Sequence, residues 1–128
     1  MYHNKHFTLS EASELLPKIN LILKDIIESK RNLDNTNYNI YNHHFFGGVG
    51  TNGSGKYPAD LVKLIDLVKK ITDQGIQIKN LDNGLIDFPH IRENGEEVYL
   101  CFVYGEDGLN FWHSIKDGFS GRRDISEL

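Results

Sequence analysis

Apolar residues recur along the first part of the chain at alternating steps of four and three. Ala12, Leu16, Ile19, Leu23 and Ile26 form the stripe, broadened by Leu15, Ile22 and Ile27. This spacing puts them on one face of an α-helix. Thr8-Leu9-Ser10-Glu11 precedes the stripe and fits a capping box, the Thr hydroxyl taking an orphan amide while Glu11 reaches back. Glu14 and Lys18 stand four apart in the favourable order. Pro17 removes one amide and crowds the carbonyl of Ser13, which predicts a kink, not a stop, because the stripe continues in phase. The helix is expected to fade near Arg31–Leu33.

A second stripe consists of Leu61, Leu64, Ile65, Val68 and Ile71. Pro58 suits a first helical position and Asp60 the positive end of the helix dipole. Lys69 and Lys70 lead to Gly75, suited to a left-handed cap. The two stripes predict an antiparallel hairpin over residues 8–75. Its long connection, 32–57, is rich in Asn and Gly, and Gly47–Gly55 is expected to be mobile.

Beyond Gly75 the period falls to two. Ile76 and Ile78 alternate with Gln77 and Lys79, and Asp82-Asn83-Gly84 signals a turn. A three-residue loop puts Ile76, Ile78, Ile86 and Phe88 on one face and Lys79 opposite Asp87 on the other. Pro89 ends that strand and Asn94-Gly95 turns the chain again. Val98–Tyr104 is apolar on both faces, as a central strand should be. If Tyr104 pairs with Leu109 in the last strand, Leu109–Ile115, then Leu100 faces His113 and Cys101 faces Trp112. The expected fold is α+β in a single domain, 1–128. An antiparallel two-helix hairpin kinked at Pro17 packs on a four-stranded antiparallel β-meander, 76–116, followed by a Gly/Arg tail, 117–128.

Charge changes this picture little. A net charge of −4 counts against a broad nucleic-acid surface. No apolar run approaches the roughly 20 residues that span a bilayer, and the first residues lack a signal-peptide core. A cytoplasmic protein with no membrane partner is expected. Cys101 is the one cysteine, so no intramolecular disulfide framework arises, and within Val98–Val103 it reads as a small buried hydrophobe.

Candidate chemistry concentrates in Leu109–Arg123, where Trp112 and His113 run into Gly118-Phe119-Ser120-Gly121 and then Arg122 and Arg123. Guanidinium groups clamp carboxylates or phosphates, and glycines let backbone amides approach an anion. Trp112, Gly121, Arg122 and Arg123 are therefore the candidate ligand-binding residues. His113 alternates with Leu109, Phe111 and Ile115, which puts it on an apolar face. With Asp87 as partner it could act as general acid/base. Gly50–Lys56 matches G-x-x-x-x-G-K, but Tyr57 and Pro58 follow where a Ser or Thr and a helix are required, so a flexible loop is expected. Six histidines show no H-x-x-x-H or H-E-x-x-H spacing, and neither a metal nor another cofactor is expected. A site joining His43 or His44 to His113 and Asp87 would need tertiary packing to assemble it.

Asn83–Pro89, Val98–Phe102, Gly105-Glu106, Phe111–His113 and Gly118–Arg123 resemble segments of a small uncharacterised prokaryotic family, domain of unknown function 2203. Phe7-Thr8-Leu9, Ala12 and Leu15-Leu16-Pro17 match its opening. The family pattern has Trp where this chain has Phe102, and a shorter interhelical loop. The resemblance implies one compact domain and groups Asp87, Trp112, His113, Gly121 and Arg122 as pattern positions. It assigns none of them a role. The leading expectation is a non-catalytic binding or assembly module that receives a small anionic ligand or partner carboxylate at Gly118–Arg123. The stripe of the first helix could serve a homodimer. The alternative is a small enzyme in which His113 is general acid/base, Asp87 orients it, and Arg122 or Arg123 holds an anionic substrate.

Overall fold

A computed structural model describes residues 1–48 and 58–128. The Gly50–Lys56 match and most of the stretch expected to be mobile, Gly47–Gly55, lie outside the described residues.

Helix α1 (Leu9–Asn35) begins with the expected capping box, Glu11 N donating to Thr8 Oγ1 at 3.0 Å and Thr8 N to Glu11 Oε1 at 2.9 Å. It continues through Pro17 and runs past the expected end. The extra turn is stabilised by tertiary contacts: Leu33 enters the core, and Lys30 Nζ, almost buried, bonds both oxygens of Asp34 and reaches Asp82 at 3.0 Å. That second bond ties the helix to a turn of the sheet. Two 3-10 turns, Ile40–Asn42 and His44–Phe46, follow, and Ile40, 1% exposed, anchors them in the core. Helix α2 (Ala59–Thr72) follows Pro58, and Gly75 adopts φ +90° beyond its end, where a side chain would be strained. The α1 stripe and the α2 stripe share one hydrophobic cluster with the sheet.

The sheet has five antiparallel strands, not four, in the order β1 (Gln77–Asn80), β2 (Leu85–Ile91), β3 (Glu97–Val103), β4 (Phe111–Ser114) and β5 (Arg123–Asp124). The tail expected to trail after residue 116 supplies the fifth strand. Trp112 Nε1 donates to Asp124 O at 3.1 Å and Ile125 N to Asn110 O at 2.8 Å, so the tail caps an edge otherwise left unpaired.

Two registers differ from expectation. In the first hairpin Gln77, not Lys79, lies opposite Asp87, and a bulge between Ile78 and Asn80 absorbs Lys79. In the second, Leu100 lies opposite Trp112, Tyr99 opposite His113, and Cys101 opposite Phe111. The connection is looser than a tight hairpin: Glu106 folds back to accept Val103 N at 2.7 Å, and pairing resumes only at Phe111. A one-residue slip exchanges the faces of a strand. Here it sends the Trp112 ring, 2% exposed, into the core beside Leu100 and Phe88. Burying an indole stabilises more than burying an imidazole, which fixes the register.

Candidate functional site

The face of the sheet opposite the helices carries Gln77, Asp87, Tyr99, Cys101, Phe111 and His113. An outer face normally meets water. Here Asp87 and His113 are each 2% exposed and Cys101 is fully buried. His113 does share its face with Phe111, but the face is polar at its centre, not apolar as the alternation suggested.

Sequence reasoning paired His113 with Asp87, and β2, β3 and β4 bring them together across the central strand. His113 Nε2 lies 3.0 Å from Asp87 Oδ1, and Nδ1 donates to the Ser114 carbonyl at 2.8 Å. A carbonyl only accepts, and so does an ionised carboxylate. When Asp87 is ionised both neighbours are acceptors, and a doubly protonated ring satisfies both as a buried imidazolium–carboxylate pair. Burial works against that charge, but the bonds to Asp87 and Ser114 outweigh it, leaving the His113 pKa above its ordinary value. Lys79, displaced into the bulge, still sends Nζ to 3.9 Å from Asp87 Oδ2 and lies over the Tyr99 ring.

Cys101 is the residue that sequence reasoning missed. Its thiol points at the same carboxylate, and the Asp87, Cys101 and His113 heteroatoms all lie within 4.8 Å of one another. Burial pushes its pKa up to about 12, with the Asp87 charge adding to the effect, so the thiol keeps its proton. The signal was present in the alternation of three adjacent strands. Only the register of β3 against β4, however, could say that these positions converge. His43 and His44 do not join the cluster: His43 links the two 3-10 turns and His44 opens the second, and His43 Nδ1 accepts from Phe45 N at 3.1 Å.

The two arginines part company, because successive residues of an extended chain point to opposite faces. Arg122 turns to the outer face, where its guanidinium lies 4.0 Å from the Phe111 ring centre and 4.8 Å from that of Phe119. Its Nη2 bonds Glu106 Oε1 at 2.7 Å and the Cys101 carbonyl at 3.3 Å, while Nε is buried without a partner. Arg122 thus locks the turn onto the sheet. Arg123 turns to the inner side, 5.2 Å from the Trp112 ring, which Arg92 also flanks at 4.6 Å. Among the described residues no carboxylate pairs with Arg123; neighbouring Asp124 caps Ser126 N at 2.8 Å instead. Gly121 serves packing, since a Cβ there would stand 2.4 Å from Asp117 Cβ.

A second polar group continues along the outer side of β3. Glu97 accepts from the amides of Tyr2 and His3 and lies 2.6 Å from His6 Nε2. Burial acts to raise its pKa, but these bonds outweigh it and hold the carboxyl at about 2. His3 Nε2 lies 2.6 Å from the Tyr99 hydroxyl, so the first residues are tethered close to the Asp87 cluster.

Among the described residues, several surface clefts are lined by other side chains, and none of these clefts has Asp87, Cys101 or His113 in its lining. No helix among the described residues is long and apolar enough to cross a membrane. The model of a family described as "Uncharacterized conserved protein (DUF2203)" matches residues 5–125. No curated protein and no solved structure matches the chain.

Proposed function

We propose, for a chain that belongs to this family of uncharacterized conserved proteins, a binding module that receives a small anionic group on the guanidinium of Arg123. One observation carries the reading. Arg123 is exposed, stacked beside Trp112, and without a carboxylate partner among the described residues, whereas the charge of Arg122 is paired from within by Glu106. An Arg held against an aromatic ring loses less freedom when it binds a carboxylate or phosphate. The C-terminal turn then acts as a mount: Arg122 and Gly121 fix it to the sheet and Arg123 presents the charge.

The enzyme reading has less support. An acid/base group must reach its substrate's proton, and both nitrogens of His113 are engaged beneath a closed surface. The homodimer reading also loses its main argument, because Ile19, Leu23 and Ile26 of the α1 stripe are fully buried within the chain.

A thermal-shift screen of small carboxylates and phosphate on the purified protein tests the proposal. Ligand-induced stabilisation should disappear in Arg123→Ala while the ligand-free stability changes by no more than surface substitutions usually cause, about 0.5 kcal/mol. Stabilisation that survives Arg123→Ala would reject the assignment.

A further inference from the structure

We infer that Asp87, Cys101 and His113 form a binding site for a thiophilic divalent metal ion of the zinc class, ligated by Asp87 Oδ1, Cys101 Sγ and His113 Nε2. This is independent of the anion reading, which concerns the other side of the sheet.

Four features of the fold carry it. The three heteroatoms lie within 4.8 Å of one another, on three adjacent strands. Tetrahedral zinc, with bonds of roughly 2.0–2.3 Å, needs ligand atoms about 3.3–3.8 Å apart, so side-chain adjustments of the order of an ångström suffice. The bond from His113 Nδ1 to the Ser114 carbonyl commits Nε2 to the metal, the outer-shell arrangement that orients ligating histidines. Asp87 divides its oxygens in the same way, Oδ1 toward the cluster and Oδ2 toward Lys79 Nζ at 3.9 Å. Finally, a set of one nitrogen, one sulfur and one oxygen donor suits zinc and cobalt far better than magnesium or calcium, which prefer oxygen alone.

Charge balance is favourable. A metal-free cluster of carboxylate, imidazolium and neutral thiol carries no net charge. When one divalent ion enters, the Cys101 thiol and His113 Nε2 each release a proton to solvent, and the net charge of the buried cluster is unchanged. The ion takes the place of two protons that now bridge the same three groups. Entry of the ion requires the Lys79 side chain, 38% accessible and 3.9 Å from Asp87 Oδ2, to swing aside. Three protein ligands leave a fourth position for water.

Cobalt(II) titration of chelator-treated protein, followed by displacement with zinc, tests the site. The expected result is one ion per chain, a thiolate-to-cobalt charge-transfer band in the absorption spectrum, and its loss on adding zinc. Cys101→Ser should remove the band and weaken cobalt affinity about a hundredfold or more, beyond the 10–100-fold loss of an outer-shell partner. His113→Gln should weaken binding similarly. The wild-type spectrum decides even if a variant does not fold: cobalt bound without a thiolate band, or no binding, overturns the proposal. Binding that survives Cys101→Ser but is lost when His3 and His6 are replaced would also overturn it.

Discussion

Replacing Asp87 by leucine removes the acceptor on which the outer-face cluster converges, keeping the branched shape of the side chain while adding bulk. The consequence can be worked from the geometry. His113 and Asp87 lie 3.0 Å apart with side chains 3% exposed. At an effective dielectric of 20, unit charges at that separation attract by roughly 5 kcal/mol, an energy largely cancelled by the cost of taking both ions out of water. The intact pair therefore adds little net stability, but an orphaned partner costs much more. The Asp87→Leu change would strand His113 Nε2 and the Cys101 thiol without an acceptor, and Lys79 would lose its counter-charge. Breaking a buried pair from one side costs about 3–5 kcal/mol. For a domain of this size that is a fall in melting temperature of about 10–20 °C. Asp87→Asn should cost less, because a neutral imidazole can accept from the new amide. The double variant Asp87→Leu/His113→Leu should be more stable than Asp87→Leu alone, since no charge is stranded. Urea denaturation of wild type and these variants, with His113→Leu to complete the cycle, measures the differences at constant pH. A loss below about 1 kcal/mol for Asp87→Leu, or single effects that simply add in the double variant, would refute the buried ion pair.

Two further outcomes follow from the architecture. Glu97 titrates at about 2 in the fold against an ordinary 4.5. A depressed carboxyl stabilises above its unfolded pKa and loses that contribution as pH falls through the folded value. Protection of the Tyr2 and His3 amides against hydrogen exchange should therefore decline between about pH 4.5 and pH 2, and Glu97→Ala, which leaves no side-chain acceptor, should abolish it already at neutral pH; protection unchanged in Glu97→Ala would remove this tether. Gly121→Ala forces a methyl to within 2.4 Å of Asp117 Cβ and should destabilise by about 1–3 kcal/mol through displacement of the turn. A urea midpoint equal to wild type would show that the turn yields without cost.

The helices were the most legible part of the chain. A four-and-three stripe and the Thr8–Glu11 box are local facts, and both stand in the structure with the expected residues. The end of α1 was less legible, because Leu33 and Lys30 are held by the core and by Asp82, partners distant in sequence. In the sheet, the alternation of Ile78, Ile86 and Phe88 identified one face, but a bulge at Lys79 and a longer turn at Glu106 each moved a register by a residue or more. Turn length is a property of side chains folding back, such as Glu106 onto Val103 N, and is poorly encoded in hydrophobic pattern.

The sequence by itself determined an α+β chain of two amphipathic helices and an antiparallel sheet, and it offered Asp87 as a candidate partner for His113. The first follows from periodicity, which acts over a few neighbouring positions; the second rested on residue chemistry alone, since the expected alternation put His113 on an apolar face. Only the tertiary structure decided that the tail closes the sheet as β5. The same holds for Arg122, which is engaged by Glu106 while Arg123 has no carboxylate partner among the described residues, and for Cys101, which completes a three-donor cluster. Each of these depends on which strand faces register with which, and register is settled by the competition among whole side chains for one core. Trp112 won that place, and its neighbour His113 was turned, with Asp87 and Cys101, to the other side.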